Sequence, residues 1–179
     1  MPLSGDLARI HLGVGELKIV RSPMLIETVL GSCVAAVFWS ARHQIGAMCH
    51  GALPTCPESL LSGNNLEQRF RYVDYSIRHL VRQFDSFGIK RNEVEVKLFG
   101  GADVLAVANS PNASLTVGSQ NTLAAIAALK AESLGLEASD LGGVQGRVIY
   151  FRTDNGYVWL RRLRASQTME ASILSLRPG

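Results

Sequence analysis

Residues 27–39 read ETVLGSCVAAVFW, and the way this stretch folds decides the architecture around it. Its β-branched and aromatic residues favour strand, but Gly31-Ser32 interrupts the run just before Cys33. The reading is a strand, a tight bend, and then Cys33 opening a second strand or a short buried helix. Residues 45–53 (IGAMCHGAL) form another apolar run, stopped by Pro54 and a polar loop that extends to Asn65.

Further out the pattern changes period. From Leu66 to Phe87 the apolar residues Phe70, Val73, Ile77, Leu80, Val81, Phe84 and Phe87 recur at helical spacing, and Gly88 supplies a stop. Residues 93–99 (EVEVKLF) alternate polar and apolar, the pattern of a half-buried strand ended by Gly100-Gly101, which reads as an ordinary turn or as a close backbone approach to a site. Residues 109–113 (NSPNA) read as loop, residues 115–117 as a short strand, and the Ala- and Leu-rich run 120–134 as a second helix ended by Gly135. After Asp140-Leu141-Gly142-Gly143, two strands at 147–152 and 157–162 flank Thr153-Asp154-Asn155-Gly156, a hairpin signal. The expectation is α/β: a single-domain layered sandwich of mixed or antiparallel sheet with two long helices. Residues 1–164 form the domain and residues 165–179 a C-terminal tail.

Composition narrows the class of protein. The chain has 179 residues, 47 % hydrophobic and 18 % charged, which supplies a core for one domain and argues against disorder. Eighteen Lys and Arg against fifteen Asp and Glu give a charge of +3, too slight to indicate nucleic-acid binding. Three cysteines, Cys33, Cys49 and Cys56, cannot all pair, so a disulfide framework is not expected and a reducing cytoplasm is. The N-terminus lacks a basic start followed by a long apolar run, and no stretch reaches 18 uninterrupted apolar residues. Neither a signal peptide nor membrane insertion is expected.

Two residues carry chemical potential. Cys33 sits where a sharp bend meets buried structure, and such a bend can present backbone N–H groups that stabilise an oxyanion. The same cysteine could equally be a small hydrophobe in the core. His50 lies in an apolar run, where a core histidine is the plain reading; in a cysteine hydrolase, a histidine from a neighbouring strand takes the thiol proton and later hands it to the leaving amine. Strands either side of residues 40–44 could bring the two together. A metal site drawing on Cys33, Cys49, His50 and Cys56 competes with this. It is disfavoured because adjacent strand residues Cys49 and His50 point to opposite faces, and no Cys-x2-Cys knuckle occurs.

The motifs Thr28-Val29-Leu30-Gly31-Ser32-Cys33-Val34 and Gly46-Ala47-Met48-Cys49-His50-Gly51-Ala52-Leu53-Pro54 resemble the chemoreceptor glutamine deamidase (CheD) family. Lys97-Leu98-Phe99-Gly100-Gly101-Ala102, Val117-Gly118-Ser119-Gln120-Asn121 and Asp140-Leu141-Gly142-Gly143 follow in the family's order. The resemblance implies a cysteine hydrolase with a fold related to bacterial toxin deamidases and with no metal or organic cofactor. It implies Cys33 as nucleophile, His50 as base, and a threonine shortly before the cysteine as third element. Thr28 is the candidate, although Glu27 stands at the expected spacing. Gln120 replaces the arginine common before the asparagine. The implied substrates are glutamines of methyl-accepting chemoreceptors, deamidated through a Cys33 thioester that needs a nearby imidazolium to favour the thiolate. A CheC-type phosphatase is an implied partner, and a non-catalytic receptor- or phosphatase-binding adaptor is the alternative.

Overall fold

The computed structural model describes residues 7–62, 65–103 and 115–164. The chain divides its strands between two sheets, and the bend at Gly31-Ser32 carries it from β3 (Met24–Leu30) in one directly into β4 (Val34–Ser40) in the other. Strands β1 (Ala8–His11), β3 (Met24–Leu30), β8 (Arg147–Arg152) and β9 (Val158–Arg162) form a four-stranded sheet in the order β1-β3-β8-β9. Strands β2 (Leu17–Val20), β4 (Val34–Ser40), β5 (Ile45–Gly51), β6 (Glu95–Gly100) and β7 (Ala138–Leu141) form a five-stranded sheet in the order β2-β5-β4-β6-β7. Each sheet holds one parallel pair, β1 with β3 and β6 with β7, so both are mixed. Short helices α1 (Glu58–Leu61) and α2 (Leu66–Arg69) lead to the two long ones, α3 (Val73–Ser86) and α4 (Val117–Ala131).

Two cores follow from strand alternation. One face of β4 and β5 turns Val34, Ala36, Phe38, Ala47 and Cys49 toward α3 and α4, where Ile77, Leu80, Phe84, Ala125 and Leu129 meet them. The other face turns Ala35, Val37 and Met48 toward the smaller sheet, where Ile26, Leu30, Ile149 and Phe151 pack. The layers therefore run small sheet, large sheet, helices, in keeping with the expected α/β sandwich.

Several boundaries differ from the sequence reading. The helix expected over residues 66–87 is broken between α2 and α3, because the backbone there is used to hold the end of β5. The amides of Ala52 and Leu53 both donate to the Arg71 carbonyl, at 2.8 and 2.9 Å, and Tyr72 bridges to Leu53. Residues 115–117 form no strand: Leu115 and Thr116 precede α4, and the Thr116 side chain caps it by accepting from the Ser119 amide. The helix thus starts three residues before Gln120. Asp140 and Leu141, given no element in the sequence reading, belong to β7 and pair with Phe99 and Gly100. The hairpin at Asn155-Gly156 forms between β8 and β9, with Gly156 at φ +75. The loop expected at residues 109–113 and the tail at 165–179 lie outside the described residues.

Candidate active site

The site is assembled from the bend and from facing positions on the two sheets. In β3, alternation turns Ile26, Thr28 and Leu30 inward, and all three are fully buried. Thr28 is thus the polar member of an apolar series, aimed from the small sheet at the large one. In β5, His50 pairs with Ala35 and so shares the face of Ala35 and Met48, toward β3. The two side chains meet: Thr28 Oγ1 lies 2.8 Å from His50 Nδ1.

A second bond settles which way the protons run. The Thr28 hydroxyl donates to the Leu12 carbonyl at 2.6 Å, which uses its only hydrogen. Toward His50 it can then only accept, so Nδ1 carries the ring hydrogen and Nε2 offers its lone pair. Nε2 is buried and has no hydrogen-bond partner among the described residues. The backbone of His50 is held as firmly as its ring. Its carbonyl accepts from Gly15 N at 2.8 Å, and its amide donates to Glu16 O at 3.0 Å.

Cys33 stands one residue before β4. Its carbonyl accepts from the Gly101 amide at 2.8 Å, which carries the β4–β6 pairing one step past Val34 and Gly100. Extending the β4–β5 register by the same step sets Cys33 opposite Ala52. Cys33 and His50 are then diagonal neighbours on one face, a separation of about 7–8 Å or less between their Cβ atoms in a regular ladder. Cys33 is buried in the core between the sheets, alongside Ala35 and Val37. Of the expected trio, Thr28 touches His50, and Cys33 lies on the same intersheet face one diagonal step away. Glu27, at the spacing the resemblance favours, points elsewhere and pairs with His11.

Electrostatics depart from expectation at His50. Burial pulls its pKa down from 6.5 to about 4, with hydrogen bonding to Leu12 opposing the shift and His11 adding slightly to it. A neutral imidazole, rather than a standing imidazolium, is the resting form near neutral pH. The other thiols are placed for packing. Cys49 faces the helices, and burial pushes its pKa up to about 12. Burial, helped by the Asp74 carboxylate, also pushes the Cys56 thiol up. Cys49 and His50 lie on opposite faces of β5, and no three potential metal-ligating side chains converge among the described residues.

Sequence reasoning missed two contributors, Leu12 and Asn121, and left a third, Gly100, between an ordinary turn and a close approach to a site. Leu12 acts through its carbonyl, for which no side chain gives a signal. Gly100 has φ +111, and a Cβ there would strike the Cys33 carbonyl oxygen, so only glycine lets β6 approach the bend this closely. Asn121 donates from Nδ2 to the carbonyls of Ser32 at 2.9 Å and Ala52 at 3.0 Å. A signal for Asn121 exists: it is the one amide on the packed stripe of α4 formed with Gly118, Ala125 and Ala128.

A buried, histidine-paired threonine with a cysteine on the same intersheet face defines a candidate cysteine hydrolase site. Comparison with known proteins adds a family. The family model described as CheD chemotactic sensory transduction matches residues 55–162. A Maridesulfovibrio salexigens protein named "Probable chemoreceptor glutamine deamidase CheD" is 38 % identical over 159 residues, covering 88 % of this chain and 94 % of that protein. A Geobacter sulfurreducens relative, the second CheD of that organism by its name, is 38 % identical over 162 residues, covering 90 % and 94 %. A relative from Thermococcus kodakarensis is 31 % identical over 163 residues, covering 90 % and 98 %. The chain belongs to the CheD family.

Proposed function

We propose that this protein is a protein-glutamine amidohydrolase that converts glutamines of chemoreceptors to glutamate. Cys33 is the nucleophile, His50 the general base and acid, and Thr28 the group that orients the imidazole. The observation that carries this reading is the Thr28–His50 bond of 2.8 Å, which leaves Nε2 as an unprotonated acceptor on the face where Cys33 lies. The names of the relatives supply the substrate class.

The chemistry follows from the proton inventory. Neutral His50 accepts the Cys33 thiol proton at Nε2 as the sulfur attacks the side-chain carboxamide carbon of glutamine. Thr28 accepts from Nδ1–H throughout and stabilises the imidazolium that forms. Backbone N–H groups of the Ser32-Cys33 bend hold the tetrahedral oxyanion. The C–N bond breaks as His50 returns its proton to the nitrogen, and ammonia leaves a thioester on Cys33. Water then attacks the thioester carbon, gives a proton to His50 and releases glutamate, with the thiol restored. Low burial-set basicity of His50 means that the cysteine is activated during attack rather than held as a thiolate beforehand.

On this reading residues 1–164 are the catalytic domain and the protein works in the cytoplasm, where the glutamines of a receptor's signalling region are accessible. No helix among the described residues is long and apolar enough to cross a membrane. A CheC-type phosphatase would bind as a partner. The test incubates the purified chain with a receptor cytoplasmic fragment and follows the gain of about one dalton per converted glutamine by mass spectrometry. Cys33→Ser should abolish conversion. Thr28→Val should slow it roughly a hundredfold through a misaimed imidazole, while Thr28→Ser stays near wild type. Wild-type conversion by Cys33→Ser would overturn the mechanism; receptor binding without any conversion by the unaltered chain would favour the adaptor.

A further inference from the structure

We propose that Asn121 is a positioning residue, pinning the bend that carries Cys33 to the strand that carries His50 at the point where their backbone pairing stops. The proposal rests on the reading of Cys33 and His50 as the reacting pair.

The ladder between β4 and β5 ends at Val34 with Gly51. One step further lie Ser32-Cys33 on one side and Ala52 on the other, and the groups presented there, Ser32 O and Ala52 O, are both acceptors. Two carbonyls cannot bond one another; they need a bridge with two hydrogens on one atom. A primary amide nitrogen is such a bridge, and Asn121 Nδ2 spends one hydrogen on each, at 2.9 and 3.0 Å. These bonds also fix which way the amide faces, since the reversed amide would set Oδ1 against two carbonyls.

The cost of the arrangement shows what it is for. Asn121 is fully buried on α4, and its Oδ1 has no hydrogen-bond partner among the described residues. A side chain needed only to fill the stripe would be apolar, as Ala125 and Ala128 are. Here an acceptor is left unsatisfied so that two donors can reach the ends of the catalytic segments. The peptide that joins Ser32 to Cys33 is planar, so holding Ser32 O also fixes the direction of the Cys33 N–H and the exit of its side chain. Loss of the bridge lets the bend turn and carries the sulfur away from Nε2.

The test uses the full chain and a receptor cytoplasmic fragment. Three quantities are compared for wild type, Asn121→Ser (one O–H donor) and Asn121→Leu (none): kcat, KM, and the rate of iodoacetamide labelling at Cys33 near neutral pH, read on its peptide. We expect kcat to fall in that order, by roughly a hundredfold for Asn121→Leu, with KM within a factor of about three. The labelling rate should fall in the same order, because His50 takes the thiol proton less readily as the sulfur attacks. A residue that only stabilises the fold would lower the melting temperature and leave the labelling rate of the folded protein where it is. Folded Asn121→Ser with wild-type kcat and labelling rate overturns the proposal, and that variant decides if Asn121→Leu does not fold. Activity retained by Cys33→Ser overturns the catalytic reading instead, so the two failures are told apart.

Discussion

Burial holds His50 near a pKa of about 4, against 6.5 for a free imidazole, and this ties the site to the stability of the fold. In the unfolded chain His50 takes up a proton as the pH drops through about 6.5. The folded protein resists protonation until about 4. Between those values the unfolded state binds more protons, so stability falls as the solution is acidified, and the loss is complete below about 4. Its ceiling is about 3 kcal/mol for this one group. We expect urea midpoints of the wild type to drop between pH 6.5 and 4, and the drop to be smaller in His50→Gln. Equal slopes for the two proteins would show that other groups, not His50, govern acid sensitivity. Thr28 is part of the same balance, since its hydroxyl satisfies Nδ1 without adding charge.

Between elements, the weight falls on the short approach of β6 to the Cys33 bend. Gly100 pairs with Val34 and adopts φ +111, a region closed to residues with a side chain, and its missing Cβ makes room for the Cys33 carbonyl. Gly100→Ala meets both a conformational and a steric penalty, and we expect several kcal/mol of destabilisation, visible as a large fall in melting temperature or as insoluble protein. A Gly100→Ala protein that melts with wild type would show that the bend relaxes freely. The glycines were legible in the sequence as a strand end that is either a turn or a close approach to a site, but the segment they approach was not, because the contact joins residues far apart in the chain. The same distinction runs through the site. The break at Gly31-Ser32 and the strands around it were legible because turn residues and period-two patterning are local. Alternation also held the answer for Thr28: Ile26, Thr28 and Leu30 share a face, which excludes Glu27 from it. Asn121 stood out less, since a polar residue on an apolar helix stripe says that it is buried without saying what it holds. Leu12 was invisible, because a carbonyl is common to every residue. The helix break at residues 70–72 was hidden for a related reason, as a tertiary bridge to Leu53 outweighed a continuous helical period.

Over the whole molecule, the layering decides which of its arginines can meet a partner at the site. Arg78 and Arg82 are exposed on α3 but engaged, Arg78 with Asp74 at 3.6 Å and Arg82 over the Tyr75 ring. Arg161 and Arg162 lie on β9, in the opposite outer layer and two strands from β3, roughly 10 Å away. These groups cannot form one surface. Arg71 differs from both: its carbonyl holds the amides of Ala52 and Leu53 just past His50, while its side chain is exposed. It lines a cavity of about 770 Å³ with His11, Gly15, Glu16, Glu67 and Phe70. An acidic group entering this cavity would find the Arg71 guanidinium and the Lys18 ammonium on its wall, beside the carboxylates of Glu16 and Glu67. We therefore expect Arg71→Ala to raise KM for a receptor fragment up to about fivefold at low salt, the range of an exposed ion pair. Raised salt should bring wild type and variant together, because screening removes what the substitution removed. Arg161→Ala, remote from the site, should match wild type at every salt concentration. If Arg161→Ala weakens binding and Arg71→Ala does not, the receptor approaches from the small sheet, and the opening toward Cys33 lies on that side of the sandwich.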